Sequence, residues 1–280
     1  MRRLLRAIVP RPLRNAVRQP LKTLTWWWHE TAHALGWSPS VDVTDGWRVR
    51  CHPASRVVFY VHRDEREFRD ELDAFRRACT PGMVLVDVGA HLGFFTLAAL
   101  HYGGPTCRVI AVEPSRRARR ILNANLRLAG ATDRVRLVPL GLGSTRASVT
   151  VLTTGAGGLH QLIRPDGPRP DTTDVPMLPL DELVAAGGPE PTHVKIDVEG
   201  FERAVLEGGR AALTRGRPVV FLELHGRLLR RAGEDPADVL AILQQCGYHT
   251  FESHGVRLSP GEAADADLIR LVCRADSPRR

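Results

Sequence analysis

Cysteine is scarce in the sequence, and the five present (Cys51, Cys79, Cys107, Cys246 and Cys273) are odd in number, with no two at C-x-x-C spacing. This excludes a disulfide framework and a cysteine-based zinc centre, and it suits a reducing cytosol. Long apolar runs are absent too. The chain starts positive, as a secretory leader does, yet its first apolar stretch is only Ala7 to Pro10 before arginine returns. Neither a signal peptide nor a membrane span is expected. Acid is missing from one end: residues 1–30 carry Arg2, Arg3, Arg6, Arg11, Arg14, Arg18 and Lys22 against Glu30 alone. Seven minus one is six of the net +8, so the rest of the chain is close to neutral. A basic end on a neutral body argues against a protein that binds nucleic acid.

What remains is ordinary globular material, 43% apolar and 25% charged over 280 residues, enough for one large α/β domain or two small ones. The expected division is a basic Arg/Trp-rich segment over 1–40 and one domain over 41–280. Its core would span 81–275, with a hairpin and helix in 41–80 ahead of it. Segment 1–40 holds Trp26, Trp27, Trp28 and Trp37. Arginine with tryptophan can mark a peripheral membrane contact. The competing reading is a basic helix whose tryptophans pack on the domain or on a partner, because Pro10, Pro12 and Pro20 break any long amphipathic helix.

Residues 47–51 and 56–61 read as a hairpin with Pro53 and Ser55 in its turn, and 65–79 as a helix with Phe68, Leu72, Phe75 and Arg76 on one face. Strand and helix then alternate. Strands are expected at 83–88, 108–112, 135–140, 193–196 and 219–224. Helices are expected at 92–101, at 116–129 (capped by Ser115 and closed by Gly130), at 201–213 and from Pro236 to about Cys246. An extra strand is expected at 147–152. Residues 154–172 read as a Gly- and Pro-rich loop, whose His160 could reach a substrate or sit in a lid. Strands 248–252 and 268–273 finish the chain with no helix between them. The pattern is that of an α/β, Rossmann-like doubly wound sheet, mostly parallel, with a late antiparallel strand.

Three clusters carry chemistry. Asp87-Val88-Gly89-Ala90-His91-Leu92-Gly93 lies where the first core strand meets its helix, at the sheet rim where ligands bind in such folds. Glu113 ends the second core strand ahead of Pro114, placed to accept hydrogen bonds from ribose hydroxyls. Lys195-Ile196-Asp197-Val198-Glu199-Gly200 ends a central strand, and alternation would put Asp197 and Glu199 on one side. The bland readings are a packing turn for the glycines, a solvated acid for Glu113 and a helix-start cluster for Glu199 and Glu202. The loop lacks the close-set glycines of G-x-G-x-x-G, and Asp87 would repel a pyrophosphate. S-adenosylmethionine, with an ammonium, a sulfonium and no phosphate, suits the charge better than NAD.

The segments Val86–Gly93, Val112-Glu113-Pro114, Leu180-Asp181-Glu182-Leu183, Lys195–Glu202 and Val205-Leu206-Glu207-Gly208 together resemble the FkbM-type methyltransferases, in order, over about residues 65–225. His91 stands where that family more often has Asn. The resemblance implies a class I methyltransferase fold, S-adenosylmethionine as donor, and methylation of a hydroxyl on a sugar, glycoconjugate or secondary metabolite. Cofactor contacts are then expected from Asp87, Gly89, Ala90, His91, Gly93, Glu113, Pro114 and Asp197. An alcohol acceptor needs a general base, with Asp197, Glu199 and His225 as candidates. No histidines and acids fall at metal-ligand spacing, so no metal is expected. The alternatives are an NAD-dependent oxidoreductase and a non-catalytic nucleoside-binding module. The acceptor and the oligomeric state are not written in the sequence.

Overall fold

A computed structural model of the chain describes residues 20–153, 159–162 and 172–276. Helix α1 (Pro20–Ala34) opens with Pro20 at its first residue, where a missing N–H leaves no bond unmade. Strands β1 (Ser40–Thr44) and β2 (Trp47–Arg50) pair antiparallel and bury Val41, Val43, Trp47 and Val49. The hairpin expected at 47–51 and 56–61 is therefore shifted, and its second half is instead helix α2 (Arg56–Asp64). The run Val57–Val61 has strand-forming composition. As a helix, however, it buries Phe59 and His62 three residues apart while Val57 stays exposed, so packing overrides propensity. Helix α3 (Arg66–Ala78) follows as expected, with Leu72, Phe75 and Ala78 buried.

The core strands are β3 (Val84–Val88), β4 (Arg108–Val112), β5 (Val135–Val138), β10 (His193–Ile196) and β11 (Val219–Leu224), joined in parallel in the order β5-β4-β3-β10-β11. Helices α4 (Phe94–Tyr102) and α5 (Arg116–Leu128) connect the first three. Ser115 caps α5 by accepting from Ala118 N. Chain progress reverses between β3 and β10, and such a switch point opens a crevice at the carboxyl ends of the strands. Apolar clusters fill both faces of the sheet.

Beyond β11 come helices α9 (Gly226–Arg231) and α10 (Pro236–Gln245), then β12 (Tyr248–Ser253) and β14 (Ile269–Ala275). The expected direct link between the last two strands is not what forms. A short strand β13 (Val256–Leu258) and helix α11 (Pro260–Asp265) lie between them. The final strand is also not an edge: β14 inserts between β11 and β12, antiparallel to both.

A second sheet, in the order β6-β9-β7-β8, is built from β6 (Gly141–Leu142), β7 (Ala147–Thr153), β8 (Leu159–Leu162) and β9 (Thr172–Leu178). The expected loop over 154–172 thus contains a strand, which carries His160, and its end opens β9. Its residues 154–158 and 163–171 lie outside the described residues. Helix α6 (Leu180–Ala185) leads to β10. The single helix expected over 201–213 is two, α7 (Glu202–Glu207) and α8 (Arg210–Gly216). They part at Gly208, where a Cβ would meet the Gly143 carbonyl oxygen at 2.1 Å; glycine there lets the second sheet approach. Among the described residues no helix is long and apolar enough to cross a membrane, and all five cysteines are unpaired.

Candidate active site

The Gly89–Gly93 loop joins β3 to α4 at the switch point. Gly89 (φ +83°), His91 (φ +47°) and Gly93 (φ +90°) all take left-handed backbone. Histidine is among the few residues other than glycine that enter this region readily, as asparagine also does, which accounts for His91 at this place. Its contribution to the loop geometry is a backbone one: His91 N donates to Glu113 Oε2 at 2.8 Å. The amides of Gly89 and Ala90 both donate to the Val112 carbonyl, at 2.9 and 3.1 Å. Loop N–H groups that could cradle a diphosphate are therefore already engaged.

Glu113, at the tip of β4, is 5% exposed and accepts a second backbone bond from Ser115 N at 2.7 Å. Burial pushes its pKa up to about 7 despite those two donors. Each carboxylate oxygen keeps a lone pair for a further hydroxyl donor. Pro114 turns the chain into the Ser115 cap, and the carbonyls of Glu113 and Pro114 accept from Arg119 at 2.7 and 2.6 Å. Asp87 lies near the end of β3, 2% exposed, and accepts from Thr96 Oγ1 at 2.6 Å. Burial lifts its pKa to about 6. Two desolvated acids on adjacent strands form a site that gains from a cationic, hydroxyl-bearing ligand and loses with an anionic one. The donor set would suit a sulfonium nucleoside, whose hydroxyls Glu113 could accept from and whose positive charge Asp87 would attract.

The third cluster meets this loop directly. A Cβ on Gly89 would lie 1.9 Å from the Asp197 carbonyl oxygen, and Asp197 N donates to Val88 O at 3.0 Å. Because β10 ends at Ile196, strand alternation does not continue through Asp197 and Glu199 as expected. Glu199 instead takes φ +47° and Gly200 φ +105°, which turns the chain into α7. Single ligand atoms of Asp197, Glu223 and His225 all fall within 4.8 Å of one another, and Glu199 is outside that trio. Two of the three base candidates are thus brought together, with Glu223 added.

Desolvation raises the Asp197 pKa, but Lys195, His225 and a hydrogen bond shared with Glu223 hold it below the usual aspartate value. Glu223 is pushed up to about 7, by burial and then by the Asp197 charge. The two acids titrate as one unit. Burial lowers the His225 pKa, but Glu202 reverses this and holds the ring above its ordinary value. Glu202 has no exposed surface. It accepts from His225 Nδ1 at 2.7 Å, and its Oε1 also receives Gly200 N at 3.1 Å. A buried carboxylate locked to one ring nitrogen leaves Nε2 as the atom able to take a proton.

Beneath the trio lies Lys195, 1% exposed, with its ammonium 3.2 Å from Glu71, 3.8 Å from Asp197 and 3.9 Å from Glu223. Arg270 on β14 binds Glu71 at 2.9 Å and Glu223 at 2.8 Å. The trio has the composition of a cation site although its sequence spacing gave no such sign, and Lys195 already supplies positive charge beside it. Sequence reading assigned Glu71, Glu223 and Arg270 no role, offered Lys195 only as part of the strand-tip motif, and offered Glu202 only as a helix-start acid. The available signal was charge at positions that periodicity assigns to the core, as in Val219–Leu224, where Glu223 stands among apolar residues. The Leu180–Leu183 motif is structural: the Asp181 carboxylate accepts from Ala211 N and Ala212 N, capping α8.

Residues 87–250 match the family model described as the methyltransferase FkbM domain. The chain is 28% identical over 218 residues to the hexuronic acid methyltransferase AglP of Haloferax volcanii, covering 76% of this chain and 83% of that protein. Among solved structures it is similar to methyltransferase FkbM from Methylobacillus flagellatus KT, at 17% identity and a TM-score of 0.47, over 79% of this chain and 55% of that one. It is also similar to the ribosomal protein L11 methylase of Lactobacillus delbrueckii subsp. bulgaricus, at 12% identity and a TM-score of 0.45, over 76% of this chain and 80% of that one. With its match spanning more than half of the sequence and taking in both strand-tip acids and the Asp197–Glu202 segment, the chain belongs to the FkbM methyltransferase family.

Proposed function

We propose that the protein transfers a methyl group from S-adenosylmethionine to a hydroxyl of a sugar, glycoconjugate or secondary metabolite. The observation that carries this reading is the junction of two half-sites. The loop that follows Asp87 and bonds to Glu113 touches Asp197 through Gly89, and Asp197 lies within 4.8 Å of His225, which Glu202 holds. The hexuronic acid methyltransferase relative supports a sugar acceptor.

S-adenosylmethionine, when bound, supplies an electrophilic methyl on a leaving group that needs no acid. The protein's work is then alignment and proton removal. Glu113 orients the nucleoside through its hydroxyls, and Asp87 favours the cationic end. His225, in its deprotonated form and oriented by Glu202, accepts the acceptor hydroxyl proton as that oxygen attacks in line. Asp197 and Glu223 flank the imidazolium that forms and offset its charge. NAD is disfavoured because the loop amides face Val112 O and Glu113 rather than an open anion cradle.

Calorimetry with S-adenosylmethionine and NAD in parallel tests the donor. Binding of the first alone is expected, and binding of NAD alone would overturn the reading. His225→Ala should cut turnover by roughly 10²–10⁴-fold, the usual worth of a general base. Turnover that vanishes in EDTA and returns with magnesium would replace the base with a metal centre on Asp197, Glu223 and His225.

A further inference from the structure

Helix α1 is amphipathic the wrong way round for a helix on a soluble body. Its polar side faces inward. Glu30 is 13% exposed in its side chain, pairs with Arg120, and lies 3.8 Å from His52 Nε2. The rings of His33 and His52 approach to 4.5 Å, and Ala32 is buried. Its apolar side faces outward. Leu24, Trp27, Trp28 and Leu35 are 65%, 63%, 63% and 81% exposed, and their spacing is that of one helical stripe. The Leu35 amide still bonds to Thr31 O, so the stripe continues through the helix end, and Trp37, 45% exposed, follows it. The reading in which the tryptophans pack on the domain does not describe Trp27 and Trp28.

Charge shows what covers this stripe. The sequence leading into it holds seven of its basic residues within the first 22 positions. Arg56 and Arg117 act electrostatically on His29 of α1, which places both beside the helix, and Arg116 and Arg120 are exposed on the first turns of α5. Two copies meeting through this face would oppose like charges. A surface that is negative outside and apolar beneath complements it. Tryptophan and leucine insert at the headgroup boundary while arginine binds the anionic heads.

We infer that α1 is a peripheral docking element for an anionic lipid bilayer, lying in the interface plane with Leu24, Trp27, Trp28 and Leu35 immersed. Helix α5 starts three residues after Glu113, so the docked face is tied to the helix that follows the proposed nucleoside rim.

The full chain is sedimented with vesicles of phosphatidylglycerol and phosphatidylcholine, with vesicles of phosphatidylcholine alone, and with no vesicles, at low and high salt. A Trp27→Ser/Trp28→Ser variant is run beside it, its fold checked by thermal melting. The wild type is expected to sediment with the anionic vesicles, less so as salt rises, with Trp emission shifting to the blue. The variant should lose roughly tenfold or more of that partitioning, as expected when apolar anchors are removed from an interfacial helix. Wild-type protein that stays in solution, or a folded variant that sediments equally well, overturns the proposal. A wild-type dimer by light scattering that the variant dissociates, with no vesicle binding, overturns it in favour of contact between copies.

Discussion

A methyl group added at Gly89 would lie 1.9 Å from the Asp197 carbonyl oxygen, at a φ of +83°. Gly89→Ala is therefore expected to force the two rim loops apart, costing about 2–4 kcal/mol of stability by denaturant unfolding and at least roughly tenfold in donor affinity by calorimetry. Glu202→Gln tests a different residue. Glu202 holds the His225 pKa above its ordinary value, so removing its charge lowers that pKa. The acidic limb of the kcat profile should move to lower pH, while kcat on the plateau falls because a weaker base remains; an unmoved limb excludes His225 as the titrating group. At this scale the sequence showed the acids at strand tips, because a tip position follows from local pattern. It hid Glu202, which looks like any acid in a first helical turn, and it hid the Lys195, Glu71, Glu223 and Arg270 network. Those partners come from three strands and a helix, and only the closed sheet brings them together.

Among the elements, α2 departs furthest from its local signal. Its conversion from expected strand to helix puts His62 into an aromatic nest, 3.6 Å from the Phe94 ring centroid and 5.0 Å from that of Phe68. Burial pushes the His62 pKa down to about 4. The unfolded chain takes up this proton first, so the stability His62 gives is complete above about pH 6.5 and is lost as pH falls towards 4. His62→Phe should remove up to about 3 kcal/mol of the stability lost between pH 7 and pH 4, read from urea unfolding at each pH. His52, also pushed down to about 4 by burial, leaves part of the slope in place. The core strands and their helices were legible because each carries a clean apolar run or a single wet face. Of the second sheet only β7 was legible, as the extra strand at 147–152; β8 and β9 were not, because they lie in or beside a Gly- and Pro-rich stretch, and the strands pair with each other rather than with the core.

At the scale of the whole molecule, the parallel half of the sheet, β5-β4-β3-β10-β11, carries both Asp87 and Glu113, the proposed nucleoside acids, and the Asp197 rim, while β14 supplies Arg270 to the network beneath. A chain ending before Ile269 would leave β11 unpaired on one side and remove that arginine. Such a truncation is expected to be insoluble or to lose its cooperative thermal transition, as scanning calorimetry would show. Alternation of strand and helix made the parallel half readable. The insertion of the last strand is a long-range pairing that no local pattern announces.

That insertion also sets an order in time. A ribosome delivers β11 well before β14, so the side of β11 that β14 will cover stays open until β14 emerges. The half that carries Asp87 and Glu113 can assemble before β14 is made, whereas the ionic floor under the proposed base cannot. Helper proteins that shield strand edges would therefore find this protein most in need of them in the interval between the synthesis of β11 and that of β14.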